Sequence, residues 1–304
     1  MSRARVVVIG GVNVDIVATA AGPLMPRASN PGHIRITPGG AGRNVAENLA
    51  RLGVATRLIA AVDAHPLADL AVRQAGEAGV DVSGIARISG RGSYYTALVA
   101  EGVVEWAVSD MGACEALSAG HLDGERETLQ AAEIVVVDAN LAPAVIERAA
   151  AFTGAGLCLV PVSAAKAPRV RRVLRRASLI VLSADEAAVL SEMKVESPED
   201  ALRAAASLRP GPGSTVVVTM SGRGLGWITE GRFWVEALHG RIVDPSGAGD
   251  AVTAVAIYAH LAGLDVHRAA ELAAAAGALT ISVEGATHPS LSLDALHSLV
   301  HASA

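Results

Sequence analysis

Residues 241 to 254, RIVDPSGAGDAVTA, hold the densest group of residues with chemical use in the chain. A strand-like segment runs into Gly247, Ala248 and Gly249, then Asp250, then an Ala- and Val-rich run that reads as helix to about Leu261. The first turn of a helix has N–H groups without intrahelical partners and carries the positive end of the macrodipole. Gly247, Ala248 and Gly249 therefore suit a multiply charged anion such as phosphate. A carboxylate there would repel the same anion unless it stands beside the transferred group and takes a proton, which makes Asp250 a candidate general base in phosphoryl transfer. Taken alone, the stretch also accommodates Asp250 as a simple helix cap.

Two further groups could hold a polar co-substrate. Asn13 and Asp15 lie two apart in VNVDIV, so in extended chain both point to one face, where an amide and a carboxylate can grip a diol. The polar outer face of an edge strand fits that spacing equally well. In PGGAGRNVAENLARLG, residues 38 to 53, the glycines at 39, 40 and 42 allow close backbone approach, and Val45, Leu49 and Leu52 follow at helical spacing until Gly53. A polar ligand on that N-terminus, hydrogen-bonded by Asn44, is one reading; an ordinary cap by Asn44 is the other.

These groups need a frame. Residues 6 to 9 read as a buried parallel strand that opens at Gly10 and Gly11, but no GxGxxG spacing is completed, which weakens a dinucleotide-binding reading. Residues 56 to 62 read as strand and 66 to 78 as helix. From 113 onward the rhythm is regular: strands at 133 to 138, 156 to 160, 178 to 182 and 214 to 219 alternate with helices at 143 to 152, 166 to 176, 184 to 192 and 198 to 207. Short strands at 225 to 229 and 233 to 238 lead to the glycine-rich stretch, and 265 to 281 reads as a small-residue helix. Such alternation implies right-handed crossovers and a mostly parallel sheet flanked by helices. The five arginines between 169 and 176 face away from Val170, Val173 and Leu174 and read as a solvated face. The strand-like segments in 12 to 37 and 93 to 109, the latter a hairpin about Glu101 and Gly102, fall outside the rhythm and can pair into a small sheet that acts as a lid.

Composition narrows the function classes. A chain of 304 residues with 51% hydrophobic but only 3% aromatic residues buries a core of Ala, Val and Leu, as covered parallel strands require. A net charge of −5 leaves no electrostatic footprint for nucleic acid, and no uncharged apolar run is long enough to span a membrane. The N-terminus shows no signal-peptide pattern, and two cysteines, Cys114 and Cys158, are too few for a disulfide framework or a Cys-based metal site; both point to the cytoplasm. No GxxxxGK[ST] stretch exists, which excludes a P-loop enzyme.

Two glycine-rich helix starts in this order, GGAGRN and GAGD, resemble the paired signatures of the ribokinase-like (PfkB) sugar and nucleoside kinases, over essentially the whole chain. The resemblance implies an α/β ribokinase-like fold with a core of residues 1–11, 38–90 and 112–304 and a β lid of 12–37 and 91–111. It implies ATP and Mg2+ as cofactors, a potassium ion near the backbone oxygens of Asp244 and Ser246, and a homodimer formed through the lid. The segments SNPGHIRITPGGAGRNVAENLARLG, SDM, PVSAAK and EGATHPSLSLDAL resemble the branch of the family that acts on pseudouridine, which implies phosphorylation of its 5′-hydroxyl. By the same resemblance Asp250 is the base and Gly247, Ala248 and Gly249 the anion hole. Asn13, Asp15, Gly40, Asn44, Asp110, Met111 and Lys166 would bind the nucleoside; Ser183, Thr219, Ser221, Gly224 and His288 the nucleotide; Glu186 the metal. The sequence departs from the family where Ser183 replaces an Asn, where Val160 precedes PVSA in place of an Asp, where AVDAH at 61 to 65 lacks the usual turn residues, and where Ser221 replaces a Gly. These departures keep open a kinase of another nucleoside or sugar, and a nucleoside-binding homologue with impaired catalysis.

Overall fold

Runs such as VVVI, IVVVD, GLCLV and LIVLS have no polar face, so strands made from them need cover on both sides. In the computed structural model, which describes residues 4–303, they form the middle of a nine-stranded sheet. In chain order the strands are β1 (Val6–Ile9), β2 (Asn13–Ala20), β3 (Gly32–Gly39), β4 (Thr56–Asp63), β5 (Asp81–Ile88), β6 (Tyr94–Ala100), β7 (Val103–Asp110), β8 (Ile134–Asp138), β9 (Gly156–Val160), β10 (Leu179–Ser183), β11 (Thr215–Thr219), β12 (Leu225–Ile228) and β13 (Arg232–Val235). The large sheet runs β13-β12-β11-β10-β9-β8-β1-β4-β5. Neighbours from β11 to β5 are parallel, and only β12 and β13 join antiparallel at one edge.

Alternation along β1 shows the two-sided cover directly. Val6 and Val8 belong to the apolar cluster that includes the helices Ala41–Arg51, Ala248–Ala262 and Val266–Thr280, whereas Val7 and Ile9 belong to the one that includes Pro143–Phe152, Ala184–Ser191 and Pro198–Leu208. All four β1 side chains are completely buried, which is why the sequence shows no alternation there. Because β1 lies between β4 and β8, the chain winds to opposite sides of it, and the crevice beyond the strand ends at such a switch point is where an open α/β sheet places its ligand.

The remaining strands form a four-stranded sheet, β3-β2-β6-β7. Its two hairpins are antiparallel, but β2 and β6 run parallel, so the two predicted strand pairs meet side by side. β2 continues from β1 after only three residues, which roots this sheet at the switch point.

The helix expected over 166 to 176 is instead two short 3-10 segments, Ala167–Val170 and Leu174–Arg176. The buried positions Ala167, Val170 and Val173 recur every three residues, a spacing that a 3-10 turn aligns and an α-helix smears around its surface. Four of the five arginines there are exposed, as expected of a solvated face. Strand β5 was not anticipated: its Asp81, Ser83, Gly84 and Arg87 mask the pattern, and its register with β4 shifts between Arg57 and Ile59. Three short helices between Gly112 and Ala131 and the helix Leu293–Ser303 also lay outside the expected rhythm. No helix among the described residues is long and apolar enough to cross a membrane.

Candidate active site

Gly247 is the residue before the helix Ala248–Ala262 and holds φ at +75°, and a Cβ built there would fall 1.9 Å from the Ala286 carbonyl oxygen. Only glycine fits, for conformational and steric reasons together. The helix has no side-chain cap, so its first N–H groups stay open to a ligand, and Gly249 is exposed with no atom crowding its Cα. Asp250, in the first turn, does not cap its own helix; its Oδ2 accepts a hydrogen bond from Asn44 Nδ2 at 2.8 Å. Removal from bulk water pushes the Asp250 carboxyl up to about 7; the Asn44 donor opposes the rise, and the negative charges of Asp138, Glu186 and Asp15 add to it. A carboxylate poised near neutrality is matched to accepting a proton at physiological pH.

Asn44 comes from the second glycine-rich turn. Gly40 precedes the helix Ala41–Arg51 with φ at +102°, and a Cβ there would lie 2.4 Å from the Gly11 carbonyl oxygen; one on Gly42 would lie 2.7 Å from the Gly10 Cα. The turn at Gly10 and Gly11 and the turn at Gly40 to Gly42 are thus in backbone contact, which brings the start of β2 against the start of the helix. On β2, Asn13 Nδ2 donates to Asp15 Oδ1 at 2.6 Å, so the pair shares one face as the spacing predicts. Burial holds the Asp15 carboxyl above its ordinary range, and the Asn13 hydrogen bond and the Arg43 and Arg35 charges pull it back.

One residue at this crevice was not singled out in the sequence. Asp138, at the C-terminal end of β8, is 1% exposed, and its carboxylate accepts from the backbone N–H groups of Gly11 at 2.7 Å, Gly42 at 2.9 Å and Asn140 at 2.9 Å. Burial raises its pKa and these donors oppose that rise. It ties both glycine turns to the central strand. The available signal was its place: a carboxylate ending a predicted buried strand at the edge where α/β sheets bind ligands. Asn140 Oδ1 accepts in turn from Lys166 Nζ at 2.6 Å, and Arg169 holds the carbonyls of residues 139 to 141, so Lys166 belongs to this side of the crevice and not to open solvent. Asp110 Oδ1 accepts from Gly112 N at 2.9 Å and from Arg91, and Met111 precedes the short helix Gly112–Ala116; both stand where β7 returns to the core.

On the other side of Asp250 lies a cavity of about 550 Å3. Ala248, Gly249, Ser183, Thr219, Ser221 and Gly224 all line it, together with a wall of small and apolar residues that includes Ala274, Gly277 and Ile281. Ser221 there holds φ at +48°, in the left-handed region that favours glycine. Ser183 caps the helix Ala184–Ser191: its Oγ accepts from Glu186 N at 3.3 Å, and Glu186 Oε2 accepts from Ser183 N at 3.0 Å. Burial raises the Glu186 carboxyl above its ordinary range. His288 is not brought to this cavity. It accepts from Ser290 N and lies near Arg51, whose charge, after burial, lowers its pKa. Near Asp250, Asp244 accepts from Ser246 N at 3.0 Å, from Gly285 N at 3.2 Å and from the guanidinium of Arg35 on β3 at 3.0 Å.

An uncapped helix start, a part-buried carboxylate of raised pKa and a cavity of about 550 Å3 beside it, on a ribokinase-like fold, fit a small-molecule kinase. The chain belongs to the pfkB family of carbohydrate kinases, whose pattern it matches over residues 3–293. It is 29% identical over 303 residues to the pseudouridine kinase of Escherichia coli, covering 97% of this chain and 96% of that one. It is also 29% identical over 259 residues to a guanosine-inosine kinase of Exiguobacterium acetylicum, covering 81% and 84%. An Escherichia coli protein solved in complex with ATP and Mg2+ superposes with a TM-score of 0.83 at 23% identity, covering 98% of this chain and 99% of that one, and so shares the fold. The protein is accordingly a sugar or nucleoside kinase.

Proposed function

We propose that this kinase transfers the γ-phosphoryl group of ATP to the 5′-hydroxyl of pseudouridine. The observation that carries the reading is the position of Asp250, between the cavity lined by Ala248 and Gly249 and the turn that presents Asn44 beside Asn13 and Asp15. With the ribose hydroxyls held by Asn13, Asp15 and Asn44, the 5′-oxygen is the one left to face the anion hole. Asp250 accepts its proton as the oxygen forms a bond to the γ-phosphorus and the bond to the β-phosphate bridge breaks, releasing ADP. The Gly247 to Gly249 N–H groups meet charge on the transferring oxygens. Similarity to the Escherichia coli pseudouridine kinase over nearly the full length of both chains supports the choice of nucleoside.

Magnesium fits this chemistry. An ion carried by the nucleotide phosphates keeps several of its waters and asks for only one or two carboxylates from the protein. Glu186, with one oxygen engaged by Ser183, would hold such a water, and the ion would neutralise charge on the phosphates. In this reading the small sheet acts as the lid, and the protein is a cytoplasmic dimer. Ile34, Ile36, Trp106 and Val108 are exposed in two neighbouring cross-strand rows of one face, an apolar area suited to a second copy of the chain.

The deciding experiment is an assay of pseudouridine with ATP and Mg2+ and identification of the product. Formation of the 5′-monophosphate supports the reading. Turnover of guanosine, inosine or ribose without pseudouridine would move the substrate elsewhere in the family, and nucleoside binding with no product would overturn catalysis itself.

A further inference from the structure

Glu47 sits on the helix Ala41–Arg51, is 3% exposed, and does not line the nucleotide cavity. Its Oε2 accepts from Arg43 Nη2 at 2.5 Å, and its Oε1 accepts from Arg51 Nη2 at 2.9 Å and from Thr287 Oγ1 at 3.0 Å. Arg43, itself 2% exposed, donates from Nη1 to Asn44 Oδ1 at 3.1 Å. Arginine has only donors, so the oxygen of the Asn44 amide must face it, and the amide nitrogen is left aimed at Asp250. The Asn44 to Asp250 hydrogen bond therefore depends on a guanidinium that Glu47 holds in place.

The other arm of Glu47 runs to the opposite half of the site. Thr287 belongs to the segment whose Ala286 carbonyl backs Gly247 and whose Gly285 N–H donates to Asp244. Arg51, also bound to Glu47, adds a contact to the Pro289 carbonyl of the same segment.

We propose that Glu47 is a positioning residue for phosphoryl transfer: through Arg43 it orients the Asn44 amide against the base, and through Thr287 it fixes the segment behind the anion hole. The proposal rests on Asp250 being the base. A buried ion pair contributes little net stability, so orientation accounts better for keeping one here. The charges that act most strongly on Asp250 are those of Asp138 on β8, Glu186 on the helix Ala184–Ser191 and Asp15 on β2, all acidic, so the Asn44 amide donor matters. An Asn44 amide freed to turn over would set its oxygen against the carboxylate.

The test uses Glu47→Gln in the full-length protein. Glutamine nearly preserves shape, but its amide N–H groups must face an arginine that also donates. Turnover of the nucleoside should fall about tenfold at pH 7 while its KM changes less than about threefold, and the acid limb of kcat should rise by about one pH unit. The Asp250 carboxyl, followed by 13C NMR without any substrate, should titrate upward by a similar amount. Arg43→Lys, which keeps the buried positive charge but loses the two-pronged fork, provides a second and milder variant and should shift the same titration. An Asp250 titration unchanged in both variants, even with a lowered melting temperature, would show Glu47 to be merely structural and overturn the proposal. If the wild-type protein turns over no nucleoside, the functional reading fails separately, and the NMR titration still decides the role of Glu47.

Discussion

Asp250→Asn should cost turnover and return stability, each with its own pH dependence. The variant keeps the size of the side chain and an oxygen to accept from Asn44, but removes the proton acceptor. Loss of a positioned base should lower kcat by a factor on the order of 10²–10⁴, with nucleoside KM nearly unchanged. The stability effect follows from the carboxyl being held at about 7 in the fold against 3.8 for an ordinary Asp. Three pK units correspond to about 4 kcal/mol, an upper limit that water at the mouth of the cleft reduces to about 1–3 kcal/mol. The folded state binds the proton more tightly, so between about pH 4 and pH 7 it carries more protons than the unfolded chain, and stability falls as pH rises through that window. The cost is small near pH 4, grows to about pH 7 and is constant above. The amide that replaces the carboxyl does not titrate. Urea unfolding of the ligand-free protein should therefore show the variant close to wild type near pH 4.5 and more stable by about 1–3 kcal/mol at pH 8. A stability difference that does not change with pH, or turnover that survives the substitution, would refute the assignment.

Three other outcomes follow from the geometry. Asp138→Ala leaves the N–H groups of Gly11, Gly42 and Asn140 buried without their acceptor, and thermal unfolding should show a loss of about 3 kcal/mol or more together with weakened nucleoside binding. Gly247→Ala forces a methyl group onto the Ala286 carbonyl and should abolish measurable turnover in the coupled ATP assay, with circular dichroism reporting an intact fold. Trp106→Lys, at a position 74% exposed on the small sheet, should shift light-scattering mass from dimer to monomer without lowering the melting temperature of the monomer.

Much of the site was legible because its chemistry is local in sequence. Gly247 to Asp250 and Gly39 to Asn44 are contiguous turns, and the Asn13 and Asp15 spacing fixes a shared face whatever the tertiary structure. What could not be read was pairing across distance. Asp138 ends an ordinary-looking apolar strand, and its hydrogen bonds reach residues 127 and 96 positions away. Glu47 falls within a run that reads as an amphipathic helix, and nothing in ENLAR shows that the charge is buried between two arginines. The fold divided in the same way: strands covered on both faces stood out as continuous apolar runs, whereas β5 carries polar residues and an interior glycine that hide its period.

The hydrogen bonds of Asp138 also impose an order on assembly. The two glycine turns are complete once about fifty residues exist, yet the carboxylate that spans them arrives with β8, nearly ninety residues later. A chain ending before β8 holds every atom of the two glycine turns and none of their common acceptor. Closing so long a loop is entropically slow, so the crevice should form late in folding, after the locally connected β9 to β11 layers have begun to pack. Hydrogen exchange during refolding should find the Gly11 and Gly42 amides protected together, and later than those of β10 and β11.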